Sequence, residues 1–152
     1  MKKGLTELVI IIDKSGSMGG LESDVIGGYN KLIEDQKKLD GEVLVTTVFF
    51  NHEFTLIHNR ENIKNVKTIT KQDYQTSGCT ALLDAVGSTV SSIKQIQEGL
   101  KIEEIPEHTI VSIMTDGLEN SSKEYSYKQI KKLIETLKEA GWDFIFQAAN
   151  ID

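Results

Sequence analysis

Apolar residues along this chain alternate between continuous runs and spaced stripes. Leu5 to Ile12 contains Leu8-Val9-Ile10-Ile11-Ile12 without polar alternation, which predicts a strand covered on both faces, as at the centre of a parallel sheet. Leu21 to Leu39 then places Leu21, Val25, Ile26, Tyr29, Leu32, Ile33 and Leu39 mostly three or four apart, with Glu34 to Lys38 filling the other face. That spacing predicts an amphipathic helix. Gly27 and Gly28 lie inside it at a cost of about 1 kcal/mol each relative to Ala, so they are expected to permit close helix-to-sheet approach. Asp40-Gly41 is a stop signal. Glu42 to Phe50, rich in β-branched and aromatic residues, predicts a second strand, and the short Asn51-His52 turn before Glu53 to His58 makes an antiparallel hairpin.

Asn59 to Gln75 is polar, with scattered Ile63, Val66 and Ile69, and is expected to be mostly irregular. After the turn Ser77-Gly78-Cys79-Thr80, the stripe Leu82, Leu83, Val86, Val90, Ile93 and Ile96 predicts a helix over 81–97. Thr109 to Met114 is another buried strand, Tyr125 to Ala140 a helix through Ile130, Leu133, Ile134 and Leu137, and Trp142 to Ala149 a final strand. The order implies an α/β fold: a Rossmann-like, doubly wound, mostly parallel sheet with one antiparallel edge hairpin and helices on both faces. No repeat or linker-like stretch interrupts it, so residues 1–152 read as a single domain.

Composition narrows this picture. At 152 residues, with 39% hydrophobic and 26% charged residues, the chain is of ordinary globular type. Folding at this length buries about two-thirds of the unfolded surface. The net charge of −6 disfavours nucleic acid or an anionic membrane as the main partner. No stretch approaches membrane-spanning length, and a single cysteine, Cys79, favours a reducing compartment. A cytoplasmic monomer is expected.

Two of the buried strands end in an acid, Asp13 and Asp116, and ligands of α/β proteins gather outside the carboxyl ends of parallel strands. Thr80 opens a helix from another loop, the second of three in chain order. Asp13, Ser15, Ser17, Thr80 and Asp116 therefore form a candidate three-loop set made only of hard oxygen donors. Without histidine or cysteine in the set, zinc and copper are disfavoured; Mg²⁺ is the natural occupant, with Mn²⁺ or Ca²⁺ as alternatives. If neutral hydroxyls supply much of the coordination, the ion keeps positive charge and an open position for an anionic oxygen from outside.

Asp13-Lys14-Ser15-Gly16-Ser17 resembles the D-x-S-x-S signature of von Willebrand factor A (integrin I-like) domains, which that family uses in its metal-ion-dependent adhesion site. Thr80, in Thr76-Ser77-Gly78-Cys79-Thr80-Ala81-Leu82, matches the family's second-loop threonine, and Asp116, in Met114-Thr115-Asp116-Gly117, its third-loop aspartate. The resemblance covers Leu5 to Ala149 and is to stand-alone bacterial members rather than animal integrins. It implies a bound Mg²⁺ and a protein partner that donates a Glu or Asp carboxylate as the missing ligand. Family members are mostly binding modules, so the expected function is metal-dependent protein binding without catalysis. The family usually continues for another strand and helices, one of which couples to opening of the site in integrin-type members. This chain stops at Asp152, which implies either a domain truncated at its C-terminus or a minimal fold.

Plainer explanations stand beside each of these residues. Ser and Asp are common helix caps, Asp116-Gly117 is by itself a turn signal, and Thr80 alone reads as a helix cap. Asp84, one turn beyond Thr80, either supports the site through hydrogen bonds or is an exposed or capping acid. Cys79 reads as a small packed thiol, and His52, His58 and His108 as surface or strand-edge residues. Glu22 and Glu119 either rim the site or are solvated, and Asn120-Ser121-Ser122 matches a glycosylation acceptor too short to carry weight. The competing function is Mg²⁺-dependent phosphoryl transfer through Asp13. Hydrolases of that type resemble D-x-D, whereas Ser15 cannot act as a general acid near neutral pH.

Overall fold

The computed structural model describes residues 1–116 and 121–148. Strand β1 (Lys2–Asp13) is followed by helix α1 (Glu22–Lys37), strands β2 (Glu42–Phe50) and β3 (Phe54–Asn62), helix α2 (Leu82–Glu98), strand β4 (Pro106–Thr115), helix α3 (Tyr127–Glu139) and strand β5 (Asp143–Ala148). The five strands form one sheet in the order β3-β2-β1-β4-β5. β1 lies between β2 and β4 and is parallel to both, β5 is parallel to β4, and only the β2–β3 hairpin is antiparallel. The fold is the α/β, Rossmann-like arrangement that the pattern predicts.

The unbroken apolar run places β1 at the centre. Leu8 to Ile12 are all buried, and their alternation feeds two cores. Leu8, Ile10 and Ile12 meet Val25, Tyr29 and Ile33 of α1; Val9 and Ile11 meet Val86, Val90 and Ile93 of α2 and Ile130 and Leu137 of α3. One helix thus covers one face and two cover the other. At about 1.5–3 kcal/mol per buried aliphatic side chain, this strand outweighs any local propensity nearby.

Several boundaries differ from the pattern. β1 begins at Lys2 rather than Leu5, because its first residues pair with the start of β4, with Lys2 opposite Pro106, although their side chains are exposed. β3 runs on to Asn62, past a bulged register and a left-handed Arg60 (φ 49), so the first residues of the expected irregular segment belong to a strand. The remainder has a single short 3-10 turn, Ile63–Asn65, and is held by burying Ile63, Val66, Ile69 and Tyr74 against α1 and β2. Leu39 falls beyond α1 and is exposed. Gly28 does face the sheet, where a Cβ would touch Met114, but a Cβ at Gly27 would meet nothing. The close-approach expectation therefore fails for Gly27, which points away from the sheet.

Candidate metal centre

The parallel register decides what stands beside Asp13. Ile12 is level with Met114 of β4 and Asp13 with Phe50 of β2, so the first acid leaves the sheet next to Thr115. The Thr115 hydroxyl donates to Asp13 Oδ2 at 2.9 Å, and the Ser15 amide donates to Oδ1 at 2.8 Å. The Asp13 carbonyl accepts from the Tyr74 hydroxyl. The Asp13 side chain is fully buried. Burial pushes its carboxyl above the ordinary range; hydrogen bonds from Ser15 and Thr115 pull it back, and the charge of Asp116 pushes it up again. Burial raises the Tyr74 phenol as well, assisted by the charges of Asp13, Glu22 and Asp116. Among the described residues no Lys, Arg or His forms an ion pair with Asp13.

Loop one continues from Asp13 into one 3-10 turn, Gly16–Met18. Ser15 occupies the cap position but makes no side-chain capping bond, so the helix-cap explanation does not account for its hydroxyl. Its Oγ lies 3.0 Å from Ser17 Oγ, and the pair runs from a buried residue to an exposed one.

Loop two has no regular structure and is held by its neighbours' backbone. Gly16 N donates to Gly78 O and Ser77 N to Lys14 O, each at 2.9 Å. Asn51, buried at the hairpin turn, donates from Nδ2 to Ser77 O at 2.9 Å, and its carbonyl accepts from Ala81 N at 2.8 Å. Gly78 is required: its φ is +81°, and a Cβ there would lie 2.6 Å from His52 Nδ1. Thr80 is buried, and Ala81 rather than Thr80 is the cap residue of α2.

Loop three begins at Asp116, half-buried directly after β4. Beyond it, Ser121 N donates to Thr80 O at 3.0 Å, which ties loop three to loop two. The loops carrying Asp13, Ser15, Ser17, Thr80 and Asp116 are thus joined at one edge of the sheet, the edge where parallel strands present ligand sites. Gly117, Glu119 and Asn120 lie outside the described residues.

The chemistry of this set suits a hard divalent cation. It offers carboxylate and hydroxyl oxygens around a buried acid that has no ion-pair partner among the described residues, and such a charge is costly unless a cation meets it. Among the described residues no three His, Cys, Asp or Glu side chains gather as a metal-holding group.

Three supporting residues escape a reading by motif. Thr115 is detectable only once the two acid-ending strands are aligned side by side. Tyr74 comes from the polar segment with no periodicity, and Asn51 reads as an ordinary turn residue. The other assignments divide. His52 and His108 are exposed and His58 half-buried on the edge strand, as expected. Cys79 is exposed, which corrects its reading as a packed thiol: loop two turns it outward, where it lines a hollow of about 420 Å³ with His52, Gly78, Asp84, Ser121 and Lys123. Glu22 accepts from Gly20 N at 2.6 Å and from Thr76 Oγ1 at 3.2 Å, joining loop one to loop two. Asp84 is buried rather than exposed.

No protein-family model matches this chain, and no curated protein matches it.

Proposed function

We propose that this chain is a divalent-cation-dependent protein-binding module of the von Willebrand factor A type. In this reading Asp13, Ser15, Ser17, Thr80 and Asp116 hold Mg²⁺, directly or through water, and the ion takes a Glu or Asp carboxylate of a partner protein. The observation that carries the proposal is the buried Asp13 carboxylate, which among the described residues receives hydroxyl and amide donors and no ion-pair partner, and lies beside the paired oxygens of Ser15 and Ser17. A divalent ion offsets the charge of Asp13 and Asp116 and remains electrophilic toward a further anionic oxygen.

Binding is favoured over phosphoryl transfer because position 15 carries a hydroxyl where a proton-donating acid would stand. Titration calorimetry with Mg²⁺ and Mn²⁺ tests the reading. Wild-type protein is expected to bind one ion and Asp13→Ala none, with circular dichroism unchanged. A wild type indifferent to both metals would sink the proposal. Turnover of an aryl phosphate that disappears in Asp13→Asn would replace it with the enzymatic reading.

A further inference from the structure

Asp84 sits at the third residue of α2, after the cap residue Ala81, and its side chain faces the segment that follows loop three. Its Oδ2 accepts from Lys123 N at 2.7 Å, and its Oδ1 accepts from Glu124 N at 3.0 Å and Tyr125 N at 2.9 Å. In return Asp84 N, one of the amides that a helix leaves without an internal acceptor, donates to Ser122 Oγ at 3.0 Å. The carboxylate is buried, and three N–H donors take up most of its acceptor capacity. A group so occupied is not replaceable by an amide of the same shape, which would turn a donor toward one of three donors.

A second contact fixes the same segment. A Cβ on Gly87, one turn further along α2, would lie 2.6–2.7 Å from ring atoms of Tyr125. Glycine at this position lets the Tyr125 ring lie directly on the helix, within the core shared by α2, α3 and the sheet. Residues 121–125 are therefore pinned to the first turns of α2, the helix that begins two residues after Thr80. Asp116 is anchored at the other end by β4.

We infer that Asp84 is a positioning residue for the metal centre: by clamping three successive amides after loop three to the helix that follows Thr80, it sets the spacing between Thr80 and Asp116 before any ion arrives. This inference rests on the metal-binding reading for its functional consequence, but the clamp itself does not. Pre-setting the spacing removes an ordering cost from ion binding. Groups that orient ligands without touching the ion typically change metal affinity by about 10–100-fold.

The test compares Asp84→Asn with Asp13→Ala and Gly87→Ala, using Mn²⁺ titration well below the melting temperature and amide hydrogen exchange of the metal-free proteins. Asp84→Asn is expected to lose exchange protection at Lys123, Glu124 and Tyr125 and to raise the Mn²⁺ Kd about tenfold or more, with one ion still bound. Gly87→Ala, which displaces Tyr125 without touching a polar group, is expected to move both readouts the same way and guards against a folding failure of Asp84→Asn. A merely structural Asp84 would lower the melting temperature and leave the Mn²⁺ Kd of the folded protein unchanged; that result overturns the inference. Complete loss of the ion in Asp84→Asn, equal to Asp13→Ala, would overturn it by making Asp84 a ligand. If wild-type protein binds no Mn²⁺, the metal-binding reading fails and the positioning role with it, while the exchange data still decide whether the clamp exists.

Discussion

Glu7 and Asp13 stand on the same strand, both with fully buried carboxylates, and the chain treats them in opposite ways. Glu7 receives a bidentate guanidinium: Arg60 Nε at 2.8 Å and Nη2 at 3.1 Å, with Gln97 Nε2 adding a third donor at 3.1 Å. Gln97 also donates to Thr109 Oγ1, so the charge is met and the network is satisfied. Among the described residues Asp13 receives the Ser15 amide and the hydroxyls of Ser15 and Thr115, and the charge that acts on it is that of another acid, Asp116. A buried carboxylate with its own arginine is a finished structural element. A buried carboxylate supplied only with neutral donors is a place where a cation from outside is worth most.

Arg60 is the residue on which the difference between the two carboxylates most depends. Arg60→Ala leaves Glu7 buried without its partner and is expected to destabilise the protein by about 3–5 kcal/mol in urea unfolding. Glu7→Gln combined with Arg60→Met is expected to recover most of that loss, because an apolar and amide pair removes the unmet charge. An Arg60→Ala cost no larger than that of a surface substitution would mean that Glu7 is as unfinished as Asp13.

Next in size is the effect of metal. At an Mg²⁺ concentration one hundred times its Kd, mass action is expected to stabilise the wild type by about 2.7 kcal/mol. For a domain of this length that corresponds to a melting temperature about 5–10 °C higher. Asp13→Asn should show no such rise, whereas the Glu7→Gln, Arg60→Met pair should retain it, since that network sits in the middle of β1, about 20 Å along the strand from Asp13.

Without metal, the sign at Asp13 reverses. Its folded carboxyl is raised above the ordinary value of 3.8, chiefly by burial, so the folded state holds this proton more tightly than the unfolded chain. Stability from the protonated form is complete below the unfolded pKa and is lost as pH rises through the raised folded pKa. Metal-free Asp13→Asn is therefore expected to be more stable than wild type at neutral pH and close to it under acid, as read from melting curves between pH 3 and 8. A metal-free wild type more stable than Asp13→Asn at neutral pH would contradict the idea that Asp13 waits for a counter-charge.

The smallest effect sharpens the same point. Thr115→Val deletes the hydroxyl donor to Asp13 Oδ2 and is expected to cost about 1.5 kcal/mol at neutral pH, the low end for a hydrogen bond to a charged group. It should shift the pH dependence upward, because one of the bonds holding the carboxyl down is gone.

The fold was largely legible because its signals are local. Val9 to Ile12 have no polar face, so they must lie inside a sheet; the α1 stripe closes every three or four residues; Asn51 and His52 leave room only for a hairpin. Each follows from period and chain reach within a short window. Legibility stopped where partners are distant. Tyr74 lies in a segment without periodicity and is held by packing on Phe49 and by its bond to Asp13. β3 continues to Asn62, and within that extension Arg60 reaches Glu7 across the sheet.

The candidate site divides along the same line. Local pattern is enough to pick out the available residues: two acids at the ends of apolar strands, hydroxyls at alternate positions after the first, and a threonine before a helix. Their electrostatics arise from neighbours that the folded sheet supplies. The parallel register brings Thr115 to Asp13, Asp84 draws the segment after loop three onto α2, and Arg60 goes to Glu7 rather than to Asp13. Both carboxylates read alike as acids in an apolar strand. What separates them is which residues the sheet carries alongside, and a buried charge takes its meaning from those neighbours because little solvent is present to answer it.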